Sequence, residues 1–168
     1  MTQKTDFEAI KAEILNRAEA AKACAEQYSR AYKSETLQEL CSVIKDNFHW
    51  CFNSKVITSD LLIQYRKDFA QNDIFINISV RSGFLLCDNA TVEAWDNTAI
   101  EAWDNATIEA WDNATVKACD NATVKACDNA YCTSHRIIEC KLSNNAIYRV
   151  KSTNTVYYSS DSINFIKQ

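Results

Sequence analysis

The sequence predicts an α+β chain, a helical N-terminal region followed by a short β-solenoid (β-helix) of eight-residue strand-turn repeats. Three observations predict it. Up to Asn72 the chain places apolar side chains at three- and four-residue spacing, the period of a helix face. "IFINISV", from Ile74 to Val80, alternates apolar with polar residues, the period of a strand. From Asp88 to Ala130 one octad is copied repeatedly, and self-similarity at a fixed period means stacked structural units. The expected division is 1–72 for a helical cap or binding region and 73–168 for the solenoid with its C-terminal cap.

Phe7, Ile10, Ile14, Ala18, Ala21, Ala25, Tyr28 and Tyr32 make one apolar stripe, so a helix is expected from Thr5 to Tyr32. Thr36 with Glu39 three residues on is a capping box, starting a helix striped by Leu37, Leu40, Val43, Ile44 and Phe48. Ser59 or Asp60 starts a shorter one with Leu61, Leu62, Tyr65 and Phe69, and "QND" ends it. A strand over 74–80, a turn at "RSG" and a lead-in "FLLC" bring the chain to the repeats.

The octad is too short for a helical hairpin and suits one strand plus a tight turn. Strand alternation turns Ala90, Val92 and Ala94 inward and Thr91, Glu93 and Trp95 outward. Asp-Asn supplies the turn, with Asn expected to take the left-handed conformation that glycine usually serves. Stacked Asn side chains can hydrogen-bond from coil to coil. Cys132, Cys140, Tyr148 and Val156 continue the valine phase, and Ser134, Leu142, Val150, Tyr158 and Ile166 the second-alanine phase, so the solenoid is expected to run to the C-terminus. Ala-Val-Ala side chains are short enough for two sheets to close on them, which favours a coil of two octads. A triangular coil of three octads is the alternative, and the block pattern of three Trp then two Cys speaks for it.

Composition removes several function classes. Glycine occurs once, as Gly83, and proline never, whereas phosphate-binding loops and hydrolase elbows need several glycines. The opening "MTQKTDFEAIKAEIL" is charged throughout and no apolar run reaches membrane-spanning length, so the expectation is a cytoplasmic protein with its eight cysteines as free thiols. Net charge is −4, and no base stands between Arg81 and Lys117. That window holds Asp88, Glu93, Asp96, Glu101, Asp104, Glu109 and Asp112. It repels nucleic acid and attracts a basic surface.

No pattern marks chemistry. His49 in "NFHWCF" reads as a packing or capping residue and His135 as a surface residue. Cys127, Cys132 and Cys140 lack zinc spacing, and the latter two read as small core hydrophobes. The Asp column lacks the glycines of calcium-binding solenoids, so its carboxylates are expected to serve the turns. Charged neighbours and Ala99 spoil the Thr column as an ice-matching face. No cofactor, metal or catalytic residue is expected. Trp95, Trp103 and Trp111 beside the acids read equally as binding anchors or as side chains that the N-terminal helices cover or that stack along the coil to brace the turns.

The "DNATVEAW" run resembles the alanine- and valine-rich octad repeats of uncharacterised bacterial and phage-borne β-solenoid proteins. The resemblance covers Asp88 to Ala130 and implies a β-solenoid and a bacterial or phage source, with no activity attached. The functional expectation is a non-enzymatic protein-binding module. Glu93, Glu101 and Glu109 would supply charge and Trp95, Trp103 and Trp111 the anchors. The partner expected is a basic, nucleic-acid-handling defence protein, such as a CRISPR effector or another nuclease, inhibited by a phage or mobile-element product (anti-CRISPR-like). A structural, self-assembling repeat or spacer is the alternative, and a homodimer is compatible with either. An enzyme with a site around His49, Trp50 and Cys51 is the remaining reading.

Overall fold

The computed structural model describes residues 2–159. Contacts divide the chain into two compact units, Met1–Ile74 and Phe75–Gln168.

The first unit is helical: α1 (Thr2–Ala20), α2 (Ala25–Lys33), α3 (Leu37–Asp46), α4 (Phe48–Asn53), α5 (Ser59–Gln64) and α6 (Arg66–Ala70). Ile10, Ile14, Leu40, Ile44, Phe48, Leu61, Leu62 and Phe69 of the expected stripes are buried. The single helix expected from Thr5 to Tyr32 is two helices. Lys22 takes φ 57°, its N–H donates to Glu19 O (3.0 Å), and Ala23 N–H donates to Ala18 O (2.9 Å). This is a Schellman stop with lysine where glycine usually stands. The break resets the helical phase, which leaves Tyr32 exposed instead of on the apolar face. Lys55 ends α4 the same way, at φ 56° with Val56 N–H on Cys51 O (2.9 Å). Thr36 caps α3 as expected, accepting from Glu39 N–H, and Glu39 accepts in return from Glu35 N–H. α5 is capped one residue earlier than expected, by Thr58.

The second unit is the solenoid. Its strands are β1 (Ile74–Ile76), β2 (Phe84–Asp88), β3 (Thr91–Ala94), β4 (Ala99–Trp103), β5 (Thr107–Ala110), β6 (Thr115–Ala118), β7 (Thr123–Ala126), β8 (Tyr131–Ser134), β9 (Cys140–Leu142), β10 (Ile147–Val150) and β11 (Thr155–Tyr158). They form a seven-stranded sheet in the order β1-β2-β4-β6-β8-β10-β11 and a four-stranded sheet in the order β3-β5-β7-β9. Within the repeats the pairing is parallel, and Thr91 meets Thr107 while Thr107 meets Thr123. The coil is therefore two octads long and the solenoid has two sheets. The sequence reading expected one strand over 74–80. Instead Asn77, at φ 51°, turns the chain after Ile76, and Val80 makes a single parallel bridge to Ala94.

The core is the predicted one. Val92, Ile100, Ile108, Val116 and Val124, with the alanines beside them, are almost wholly buried between the sheets. Each such Val or Ile contributes about 1.5–3 kcal/mol of burial. The second octad reads Thr98-Ala99 where the others read Ala-Thr. Thr98 thus points inward, wholly buried, and its hydroxyl is satisfied by donating to Trp95 O (2.7 Å). The tight turns close by i to i+3 bonds such as Ala106 N–H to Trp103 O (3.0 Å). The left-handed residue of the first turn is Asn89 (φ 48°), as expected, but in the five turns that follow it is Asp. Asp96, Asp104, Asp112, Asp120 and Asp128 all lie at φ 51–57°. The following Asn holds the coils together, its N–H reaching back one full coil, as in Asn113 to Asp96 O (3.1 Å). The expected side-chain bonds occur between Asn105 and Asn89 (3.1 Å) and between Asn145 and Asn129 (3.3 Å).

The inward phase holds through Val150 and then fails. Residues 151–154 reverse the chain, and β11 returns antiparallel on β10. Reversal shifts the parity by one: Tyr157 meets Tyr148 and stacks on it at 5.6 Å, while Val156 and Tyr158 meet the outward Arg149 and Ile147, and all three β11 side chains are exposed. Ile166 lies outside the described residues.

Candidate protein-binding face

A coil of two octads sends alternate octads to opposite sheets, and this decides which candidate residues meet. On the four-stranded sheet the outward central column reads Glu93, Glu109, Lys125, Lys141. On the seven-stranded sheet it reads Leu86, Glu101, Lys117, Thr133, Arg149. Neighbours in a column are ~4.8 Å apart along the stack. The three Glu and three Trp named together as expected binding residues are thus divided. Glu93, Glu109, Trp95 and Trp111 share one sheet and its edge, while Glu101 and Trp103 stand on the other.

The acids differ in their surroundings. Glu101, expected outward and accessible, is 3% exposed, and its Oε1 lies 3.6 Å from Lys117 Nζ. Glu109 is half-buried and pairs with Lys125 at 3.2 Å. Glu93 is exposed, and its neighbour in the ladder is another carboxylate, Glu109.

The three tryptophans are half-buried. Arg81 lies over Trp95 (5.2 Å to the ring centre) and Lys125 over Trp111 (5.3 Å), so both rings are covered by cations from their own unit. The indole Nε1 atoms of Trp103 and Trp111 are buried and find no acceptor among the described residues. The turn carboxylates form a column on each edge, with Asp96, Asp104, Asp112 and Asp120 exposed. Some serve the turns, as expected: Asp88 Oδ1 accepts from Asn89 and Asp128 Oδ1 from Asn144, both at 2.8 Å. A hydrogen bond to Asp88, then the charges of Asp88 and Asp120, hold the Asp104 carboxyl above its ordinary range.

His49 bonds Asn53 at 2.8 Å within α4, and His135 is exposed. Burial pushes the Cys51 thiol up to about 12, which makes it a poor nucleophile. Cys127, placed outward by the octad phase, is buried. Among the described residues no three His, Cys, Asp or Glu side chains cluster as a metal site. No helix among them is long and apolar enough to cross a membrane.

No family model, curated protein or solved structure matches this chain.

Sequence reasoning missed Arg81 and Lys125 as ring covers and the buried state of Glu101. Arg81 ends "ISVR" just ahead of the repeats, and the step from Arg81 to Trp95 is not a multiple of the octad.

Proposed function

We propose that the solenoid is a protein-binding module whose acidic edge seats on a basic surface of a nucleic-acid-handling protein, as an inhibitor carried by a phage or mobile element would. The supporting observation is the ladder pair Glu93–Glu109. Like charges opposite one another on a sheet cost stability, and Lys125 answers only one of the two. Glu93, with Asp96 and Asp112 on the neighbouring turns, presents a negative corner beside Trp95 and Trp111. A basic partner covering that corner would relieve the repulsion and complete the burial of the rings.

The test is capture from bacterial lysate by the intact chain, repeated with purified partner. The Glu93→Lys/Asp112→Lys variant should lose a basic protein that wild type retains, and heparin should elute that protein. Equal capture by wild type and variant would remove the charged corner from the function.

A self-assembling spacer is the second reading. Its support is β11, the outer strand of the seven-stranded sheet, where Val156, Tyr157 and Tyr158 are exposed. Light scattering that shows mass growing with concentration, and a return to monomer on Tyr158→Lys, would favour it over the binding module.

A further inference from the structure

In a two-sheet solenoid the inward residue of one octad faces the inward residue eight positions on. Through the repeats that pair is aliphatic, as with Val116 and Val124. In the last coil both members are cysteine. Cys132 takes the place of Val116 one strand on, in β8, and Cys140 that of Val124 in β9. Cys132 belongs to the buried core and Cys140, half-buried, packs against it. Tyr148 holds the segment between them. Its hydroxyl bonds Ser134 Oγ at 2.6 Å and accepts from Ile138 N–H at 3.0 Å.

We infer that Cys132 and Cys140 are a redox pair that closes into a disulfide, tying the two sheets together at the C-terminal coil. The two-octad coil sets the two side chains against one another, Cys140 packing on the core cluster that holds Cys132. That contact lowers the Cys140 pKa, while the same contact and burial raise that of Cys132. Cys140, half-buried where Cys132 is wholly buried, is the thiol that peroxide reaches first, and Cys132 is the resolving thiol. With hydrogen peroxide as oxidant, the Cys140 thiolate attacks one peroxide oxygen. The O–O bond breaks, Cys140 becomes a sulfenic acid, and hydroxide leaves to take up the proton that Cys140 had lost. Cys132 then attacks the sulfenyl sulfur, the S–O bond breaks, and its proton leaves with the oxygen as water. One peroxide is reduced to two waters and two thiols are oxidised to one disulfide. Cys41, Cys51 and Cys87 are held protonated by burial, at about 12, 12 and 11, and do not compete.

The test uses the full chain with Cys127→Ser, treated with peroxide, alkylated and digested with trypsin. Cleavage after Arg136 puts residues 132 and 140 on separate peptides, so the bond appears as a cross-linked pair that dithiothreitol separates. The expected result is that cross-link, with a Tm rise of about 5–10 °C on oxidation. Cys140→Val, which restores the residue type of the preceding coil, should fold and lose both effects. Peroxide that modifies the exposed Cys24 but leaves residues 132 and 140 alkylated would overturn the proposal. So would conversion of Cys140 to sulfinic acid without a cross-link.

Discussion

Lys117 lies beside Glu101 in the ladder of the seven-stranded sheet, 3.6 Å from a carboxylate that is 4% exposed, while the lysine itself is 35% exposed. One octad on, Lys125 lies beside Glu109 at 3.2 Å with both side chains more than a third exposed. The two pairs have the same sequence spacing and different worth. Removing the cation from a buried carboxylate leaves its desolvation less well offset, whereas an exposed pair is screened by water. Lys117→Ala should cost ~2–3 kcal/mol and Lys125→Ala less than ~1 kcal/mol in urea unfolding. Equal costs would mean that the burial of Glu101 does not govern the pair.

The left-handed Asp of the later turns, Asp96 to Asp128, gives a second expectation. A Cβ at positive φ costs ~1 kcal/mol, less for Asp and Asn, which bond locally. Asp112→Ala should destabilise by ~1 kcal/mol and Asp112→Gly should recover most of that loss. If Gly is no better than Ala, the turn does not hold residue 112 in the left-handed region.

Asp104 makes stability depend on pH. Its carboxyl is raised in the folded chain by Asp88, first through a hydrogen bond and then through charge, with Asp120 adding to the charge. A raised folded pKa favours the protonated form, so its contribution is fully present below the unfolded value of 3.8 and is lost as pH rises through the raised folded value. Asp104→Asn removes that loss. Wild type and variant should therefore have closer Tm values near pH 3 than near pH 7, with the variant higher at pH 7. Parallel Tm profiles would contradict the coupling to Asp88.

Core spacing is the fourth. Ala102, Ala110 and Ala118 are fully buried beside the valine column and set how closely the sheets approach. Ala110→Leu should cost ~1–3 kcal/mol by overpacking. Val116→Ala should cost ~2–3 kcal/mol through the transfer term and the gap it leaves. Both are read from urea midpoints with unchanged slopes. A neutral Ala110→Leu would show that the sheets part freely.

Much of this was legible before the structure. The octad shows the strand, the turn and the inward face directly, because alternation and the Asp-Asn step are local. The coil of two octads followed from the reach of Ala and Val side chains. What was not legible depended on partners. Nothing in "EAAKACAEQ" announces that Lys22 will take a left-handed turn, since alanines on both sides favour helix. The antiparallel return of β11 continues the eight-residue phase in sequence while inverting it in space, so Val156 looked inward and is not. The six candidate residues do not share one sheet, for a geometrical reason. Glu93, Glu101 and Glu109 are consecutive in the repeat, but consecutive octads occupy opposite sheets.

That alternation also constrains how such a chain can change length. Inserting or deleting one octad rotates everything downstream by half a coil: each later strand would have to join the other sheet, and the β10–β11 hairpin would close the wrong side. A gain or loss of two octads restores every column. Replication slippage in the gene acts in steps of one octad, whereas the fold admits them in pairs, so tolerated length variants should differ by whole coils.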